Sequence, residues 1–590
     1  MRIIVLSLFV QASAFGIESG SFTIYDGESQ IVTTVQQVDR TVLNLQISDL
    51  EYEKVSVDGI DQYRIHLPDV FGMSRGAFLS SNNSVIPTIT RTIAVPFDSE
   101  PAFRVTRSNF VELTDIVLAP AGEEELDSYS GSDRNISLNL ESNPVIAETA
   151  GMMRDVRIYS LTISPVQYDP ENSVLRVYSE IEIEVDHAGS RIVRYGDHLS
   201  EAFLPIYRSF LDNPLLFDPI EVTRGADWFI YPDPFLEYVQ PIADWKKAKG
   251  YHVEMIAKSD IGSNPSYITI KNYIADRFDT CLVKPDYITI IGDVTMPSNY
   301  GIPSRSYNNP YGMGPFESDN YYTFLEGNDY FPEILIGRIS IDYVSELNSY
   351  IDKLFTYERN PYIDDTDWYL RGTVVAYWDT TGYWPPIFTS ARITKLWCRD
   401  RMLESGYIQV DTLFEHPGNY IPPSQINASI NNGVSFVNYR GYGAPECWGG
   451  PYYYTYNINQ LSNGPMYPVM TSIVCGTGDY GYDVCFGEGW IRYANKGGAG
   501  FIGTTNHDTH TRFNNAIDIG IYWGLFSEGV TTIAQAQLMG KMTMYYAFPA
   551  DTYPNGRVES YFNSYNILGD PELNCWTGVP RIMSVTHADS

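Results

Sequence analysis

Cysteine is scarce in this sequence, with six residues in 590, at positions 281, 398, 447, 475, 485 and 575, and none earlier. That is too few for a disulfide framework, and the spacing matches no common zinc site. The first half therefore folds without thiol chemistry, and any reactive cysteine belongs to the second. Positive charge is also short: 39 lysines and arginines stand against 72 acidic residues, for a net charge of −33. A phosphate backbone needs a basic footprint, so nucleic acid is excluded as a partner. After the first residues, no run reaches the roughly 18 consecutive apolar residues of a membrane helix. The zinc-hydrolase signature His-Glu-x-x-His is missing as well.

What remains is ordinary for a folded protein, with 44% apolar and 19% charged residues. A chain of this length is too long for one core, which implies two to four domains. Met1 and Arg2, the apolar stretch 3–10 and the small residues Ala12-Ser13-Ala14 read as a signal peptide over 1–14. Export follows from that reading, to a secreted or cell-surface location.

Two sequence grammars follow. From 22 to 185 the chain keeps returning to period-two alternation, most clearly in Glu180-Ile181-Glu182-Ile183-Glu184-Val185. Short alternating strands between polar turns predict an antiparallel sandwich or barrel. After Gly225, strand-like apolar runs at 228–231, 287–292, 334–337, 373–377, 434–439, 469–474 and 500–503 alternate with helix-length segments. The segments 236–249 and 344–358 carry 3.6-residue apolar spacing. This pattern predicts an α/β domain with a mostly parallel sheet flanked by helices. The expected boundaries are 1–14 for the signal peptide, 15–224 for a β-sandwich domain and 225–576 for the α/β domain. Residues 577–590 read as the start of a C-terminal tail or further domain.

Sites in parallel sheets gather past the carboxyl ends of the strands. Two loops there can carry chemistry. The run 434–439 leads into Arg440-Gly441-Tyr442-Gly443, and 469–474 leads into Cys475-Gly476-Thr477-Gly478-Asp479. Glycines beside Tyr442 and Cys475 permit a sharp turn and a close approach of substrate backbone. Taken alone, each residue is equally readable as packing: free cysteines are often buried filler, and the chain has 46 tyrosines.

A series of short matches points further. Gln240 to Gly250 (QPIADWKKAKG), Tyr287 to Asp293 (YITIIGD), Ser318-Asp319-Asn320-Tyr321-Tyr322, Gly327-Asn328-Asp329, Ile336-Gly337-Arg338, Tyr357-Glu358-Arg359-Asn360 and Leu568-Gly569-Asp570-Pro571 occur in order. This series resembles the catalytic domain of the gingipain family of caspase-like cysteine peptidases, from 226 to about 576. The resemblance implies a hydrolase carried as a proenzyme, with protein or peptide substrates and no required cofactor. It makes Cys475 the nucleophile and Gly443 and Gly476 substrate-facing glycines. It also makes the β-rich first half, all-β and propeptide-like, the chain's own inhibitor, cut near Val222-Thr223-Arg224-Gly225. Structural calcium is implied too, with Asp329 and Asp483 among the available carboxylates.

One residue departs from the family pattern. Where the family has histidine in Gly-His-Gly, this chain has Gly441-Tyr442-Gly443, 33 residues before Cys475. A phenol with a pKa of about 10 is a poor base, whereas imidazole works near neutral pH. Two readings follow: a peptidase with altered acid–base groups, or a pseudopeptidase that serves as a surface binding or adhesion module. His507 and His510 are the candidate substitutes, or else polar loop residues. Asp319 matches a carboxylate in the specificity pocket of arginine-cutting members, which implies cleavage after basic residues; alternatively it orders its own loop.

Overall fold

The computed structural model describes residues 18–581 apart from 122–139, 378–389 and the short gaps 38, 58, 80–82, 190, 196, 219, 298–299 and 313. The expected signal peptide and the tail from 582 lie outside the described residues.

The alternating half becomes antiparallel sheet. In the strand Val174–Asp186, Leu175, Val177, Ile181, Ile183 and Val185 are completely buried, while the glutamates between them stand at the surface. The strand pairs on one side with Arg40–Gln46 and on the other with Ala102–Leu113. Arginines opposite the glutamates make the exposed face self-neutralising, as in Arg107 to Glu180 at 3.0 Å. Three sheets of five, four and four strands arise this way and enclose one apolar core.

The second half builds one ten-stranded sheet. Its strands in chain order are β1 (Ala226–Tyr231), β2 (His252–Ala257), β3 (Pro285–Ile291), β4 (Leu335–Ile339), β5 (Arg371–Ala376), β6 (Gln409–Phe414), β7 (Phe436–Arg440), β8 (Val469–Ile473), β9 (Gly500–Thr504) and β10 (Tyr565–Leu568). Their spatial order is β2-β1-β3-β4-β10-β9-β8-β7-β5-β6. Every neighbouring pair is parallel except β9 with β10, which is antiparallel. The sheet is thus two parallel halves pointing in opposite directions. Every residue of β1, β3, β4, β7, β8, β9 and β10 is buried, as a sheet covered on both faces requires.

Two helices following β9 cover one face: α1 (Thr511–Trp523) and α2 (Ile533–Ala547). The start of α2 is fixed by a reciprocal cap, in which Gln535 N donates to Thr532 Oγ1 at 3.3 Å and Thr532 N to Gln535 Oε1 at 3.0 Å.

The two halves share a core. Met153, Val156, Leu199, Phe203 and Tyr207 from the first half pack in the same buried cluster as Tyr287, Leu335 and α2 residues of the second. Polar anchors reinforce the junction. Buried Arg154 donates to Pro285 O at 2.7 Å and to Asp286 Oδ1 at 3.2 Å, and Thr90 Oγ1 donates to Tyr546 O at 3.0 Å. The linker is pinned as well: Arg224 pairs with Glu201 at 2.7 Å, and the buried Gly225 N–H donates to Asp286 Oδ2 at 2.7 Å.

Candidate active site

Strands β7, β8 and β9 run side by side in one parallel half, so their carboxyl ends release three loops along one edge. Arg440, at the end of β7, is level with Ile473 of β8. The turn Gly441-Tyr442-Gly443 therefore lies against Val474-Cys475-Gly476. Gly443 makes this approach possible, because a Cβ there would sit 2.8 Å from Val474 Cγ1 and 2.9 Å from the Cys475 carbonyl oxygen. Gly476 is needed for its left-handed backbone, at φ +67°, which an L side chain adopts only with strain. Its N–H is already given to Asn506 O at 2.8 Å, so its part at the site is conformational.

The Cys475 thiol is half-buried, with Sγ 3.2 Å from Thr509 Oγ1. Thr509 Oγ1 accepts from Asn514 Nδ2 at 2.8 Å, and Asn514 Oδ1 in turn accepts from Tyr565 Oη at 2.7 Å. The threonine hydroxyl keeps its own proton and a second lone pair, so it can either donate to the sulfur or accept from the thiol. Thr509 and Asn514 escape a sequence reading because neither belongs to a recognisable motif.

The third loop brings the histidines. His507 Nε2 is 2.5 Å from Asp479 Oδ2, and that hydrogen bond raises the imidazole pKa above its ordinary value. Its ring flanks the nucleophile turn, with Cδ2 3.4 Å from the point where a Gly476 Cβ would stand. His510 has a different employment. It caps α1, Nδ1 accepting from Arg512 N at 3.3 Å. Burial, together with Arg512, Arg557 and Arg440, pushes its pKa down to about 4. His510 is neutral near pH 7 and turned into the helix cap.

Tyr442 presents its side chain to solvent at 65% exposure, edge-on to Tyr377 with ring centroids 5.5 Å apart. Its backbone is fixed: Tyr439 Oη and Gly449 N donate to the Tyr442 carbonyl at 2.7 and 2.6 Å. The loop is held firmly while the ring lies outside the core.

Asp319 lies inside the protein. Arg338 grips both of its oxygens at 2.7 Å and donates onward to Gly292 O and Ile302 O at 2.7 and 3.0 Å. Both partners are almost completely buried. This corrects the expectation that Asp319 faces a substrate guanidinium, because Arg338 of the chain itself occupies it. Asp319→Asn is accordingly expected to destabilise the protein by about 3–5 kcal/mol, the usual cost of stranding a buried charge, as measured by denaturant unfolding.

Carboxylates suited to calcium fare no better. Asp329 spends its oxygens on Met152 N and Phe331 N, each at 2.9 Å, and Asp483 is exposed. Glu358, Asp570 and Glu572 lie close enough together to hold a cation, but buried Lys246 and half-buried Lys249 already bridge them, each 2.5 Å from Glu572. These groups do not fit a calcium site. The sequence does contain one Gly-x-Ser-x-Gly pattern, Gly72-Met73-Ser74-Arg75-Gly76, against the expectation that it has none. Ser74, however, lies in a short helical turn of the β-rich half and receives a bond from Arg91 at 2.9 Å.

A thiol at the carboxyl edge of a largely parallel sheet, behind an all-β N-terminal half, defines a caspase-like cysteine hydrolase with a prodomain. Comparison with known proteins agrees. Peptidase family C25 matches residues 226–576, and its propeptide family matches residues 32–192. The chain belongs to peptidase family C25, the gingipain-type cysteine peptidases. Gingipain R2 of Porphyromonas gingivalis strain W83 is 24% identical over 529 residues, covering 85% of this chain and 68% of the relative. Lys-gingipain of the same species is 24% identical over 632 residues, 98% of this chain but 35% of that much longer protein. The crystal structure of the Arg-specific cysteine proteinase gingipain R superposes with a TM-score of 0.53 at 22% identity, covering 60% of this chain and 79% of the other. A complex of the RgpB pro- and mature domains gives a TM-score of 0.54 at 23% identity, covering 60% and 81%. Among the described residues, no helix is long and apolar enough to cross a membrane.

Proposed function

We propose that the chain is a secreted cysteine endopeptidase, made as a proenzyme, in which His507 takes the part that Tyr442 cannot play. The observation that carries this reading is the His507–Asp479 pair at 2.5 Å, standing beside the Cys475-Gly476 turn. Imidazole takes the thiol proton, the thiolate attacks the scissile carbonyl, and the imidazolium returns the proton to the leaving amine. Asp479 orients the ring and favours its charged form. Residues 15–224 act as the inhibitory domain, which the match to the C25 propeptide family supports. Export rests on the N-terminal segment 1–14. With Asp319 held by Arg338, a preference for basic residues does not follow from that carboxylate.

Tyr442 supports a second reading, a pseudopeptidase whose cleft binds without cutting. The two are separated by hydrolysis of an unstructured protein, measured for the full chain and for residues 225–576 freed from the first half. Cutting well above a Cys475→Ala blank, greatest in the freed form, is expected. Rates equal to the blank would leave the binding role standing.

A further inference from the structure

Behind the segment that carries Asp319 lies a cavity of about 20 Å³, between that segment and α2. Phe324, Leu335 and Phe562 make its walls largely apolar, but Asn320, Gln537 and Lys541 reach it. Gln537 and Lys541 are four residues apart on α2 and so share one face. Both are nearly inaccessible, at 5% and 4% exposure.

The polar groups here are unbalanced. The Lys541 ammonium carries three protons. Among the described residues it makes one hydrogen bond, to Asn320 Oδ1 at 2.8 Å. The Gln537 amide nitrogen is buried with no acceptor. Asn320 has its amide fixed in one orientation, Oδ1 accepting from Lys541 and Nδ2 donating to Tyr565 O and Asn566 Oδ1 at 2.8 and 2.9 Å. Among the described residues no carboxylate pairs with Lys541, so desolvation pushes its pKa well below the usual lysine value, and a bound anion is what would hold the amine in its charged form. A buried ammonium without a counter-charge is costly, by several kcal/mol even after relaxation.

A void of this size holds one small particle, since a water needs roughly 10–15 Å³ measured in the same way. Water could accept from both donors but would leave the ammonium charge without a counter-charge. A monatomic anion accepts from both donors and cancels the charge. We propose that this cavity is a halide site, with chloride bound between Lys541 Nζ and Gln537 Nε2. Through Asn320, which is bonded to β10 and adjoins Asp319, the anion would brace the buried Asp319 segment against the sheet.

The full chain crystallised in bromide tests this directly. An anomalous-difference peak within hydrogen-bonding distance of both nitrogens is expected. In solution, the unfolding midpoint should rise saturably with chloride by about 2–4 °C but not with gluconate at equal ionic strength, and Lys541→Met should lose the response. Should that variant fail to fold, Gln537→Leu, which removes one donor, must weaken the chloride response. Density with no anomalous signal, or a midpoint that follows ionic strength alike in both salts, would overturn the site. So would a bromide peak in the crystal with no response in solution, which would mark binding at crystal concentration only.

Discussion

Replacing His507 with alanine is expected to lower kcat/KM for peptide hydrolysis by about two to four powers of ten, the range general acid–base help supplies. The argument is geometric before it is electrostatic. His507 flanks the turn that carries Cys475, and its ring is set by Asp479 at 2.5 Å. His510, three residues on, is committed to the α1 cap and kept neutral; His510→Ala should cost stability before it costs chemistry. The pH profile separates a catalytic imidazole from a structural one. Asp479 raises the His507 pKa, so the imidazolium that protonates the leaving amine survives to higher pH. Asp479→Asn removes that support, and the alkaline limb of kcat/KM should move to lower pH. An unchanged profile in both variants would end the claim for His507.

The second large effect runs the other way. In a chain already carrying His507→Ala, Tyr442→His should restore activity by about two powers of ten or more. The turn is ready for it: Gly443 packs so closely that a Cβ there would meet the Cys475 carbonyl at 2.9 Å, and Tyr439 and Gly449 hold the Tyr442 backbone carbonyl whatever side chain stands at 442. Phenol and imidazole differ by some 3.5 pKa units, which takes the group from idle to working at neutral pH. Single-turnover hydrolysis beside Cys475→Ala is the measurement. Should activity stay at the blank, position 442 is not within proton-transfer reach of the thiol.

Seven strands of the large sheet are readable in the sequence because they are apolar almost throughout, as burial on both faces demands. The three that are not readable have identifiable reasons. β2 and β6 are the outer strands, and their mixed residues, such as Glu254 and Asp411, meet solvent on one side. β10 is only four residues long, and its direction against β9 is settled by packing that no local pattern records. At the site, Cys475 and Tyr442 are legible through ordered motifs. The partner of Asp319 is hidden in plain view: Arg338 sits 19 residues away in another matching motif, and only the fold brings the two together. The Asp479–His507 contact spans 28 residues and two loops, and escapes for the same reason.

The core shared by the two halves bears on how latency would end. Met153, Phe203 and Tyr207 are packed among residues of the second half, and Arg154 is sealed beneath them. Nicking the backbone at the linker would leave that apolar face as well matched as before, so scission and departure are separate events. The cut fragments should co-migrate as a tight pair, and activity should lag behind cleavage until a second cut, or some agent that competes for the exposed surface, draws the first half away.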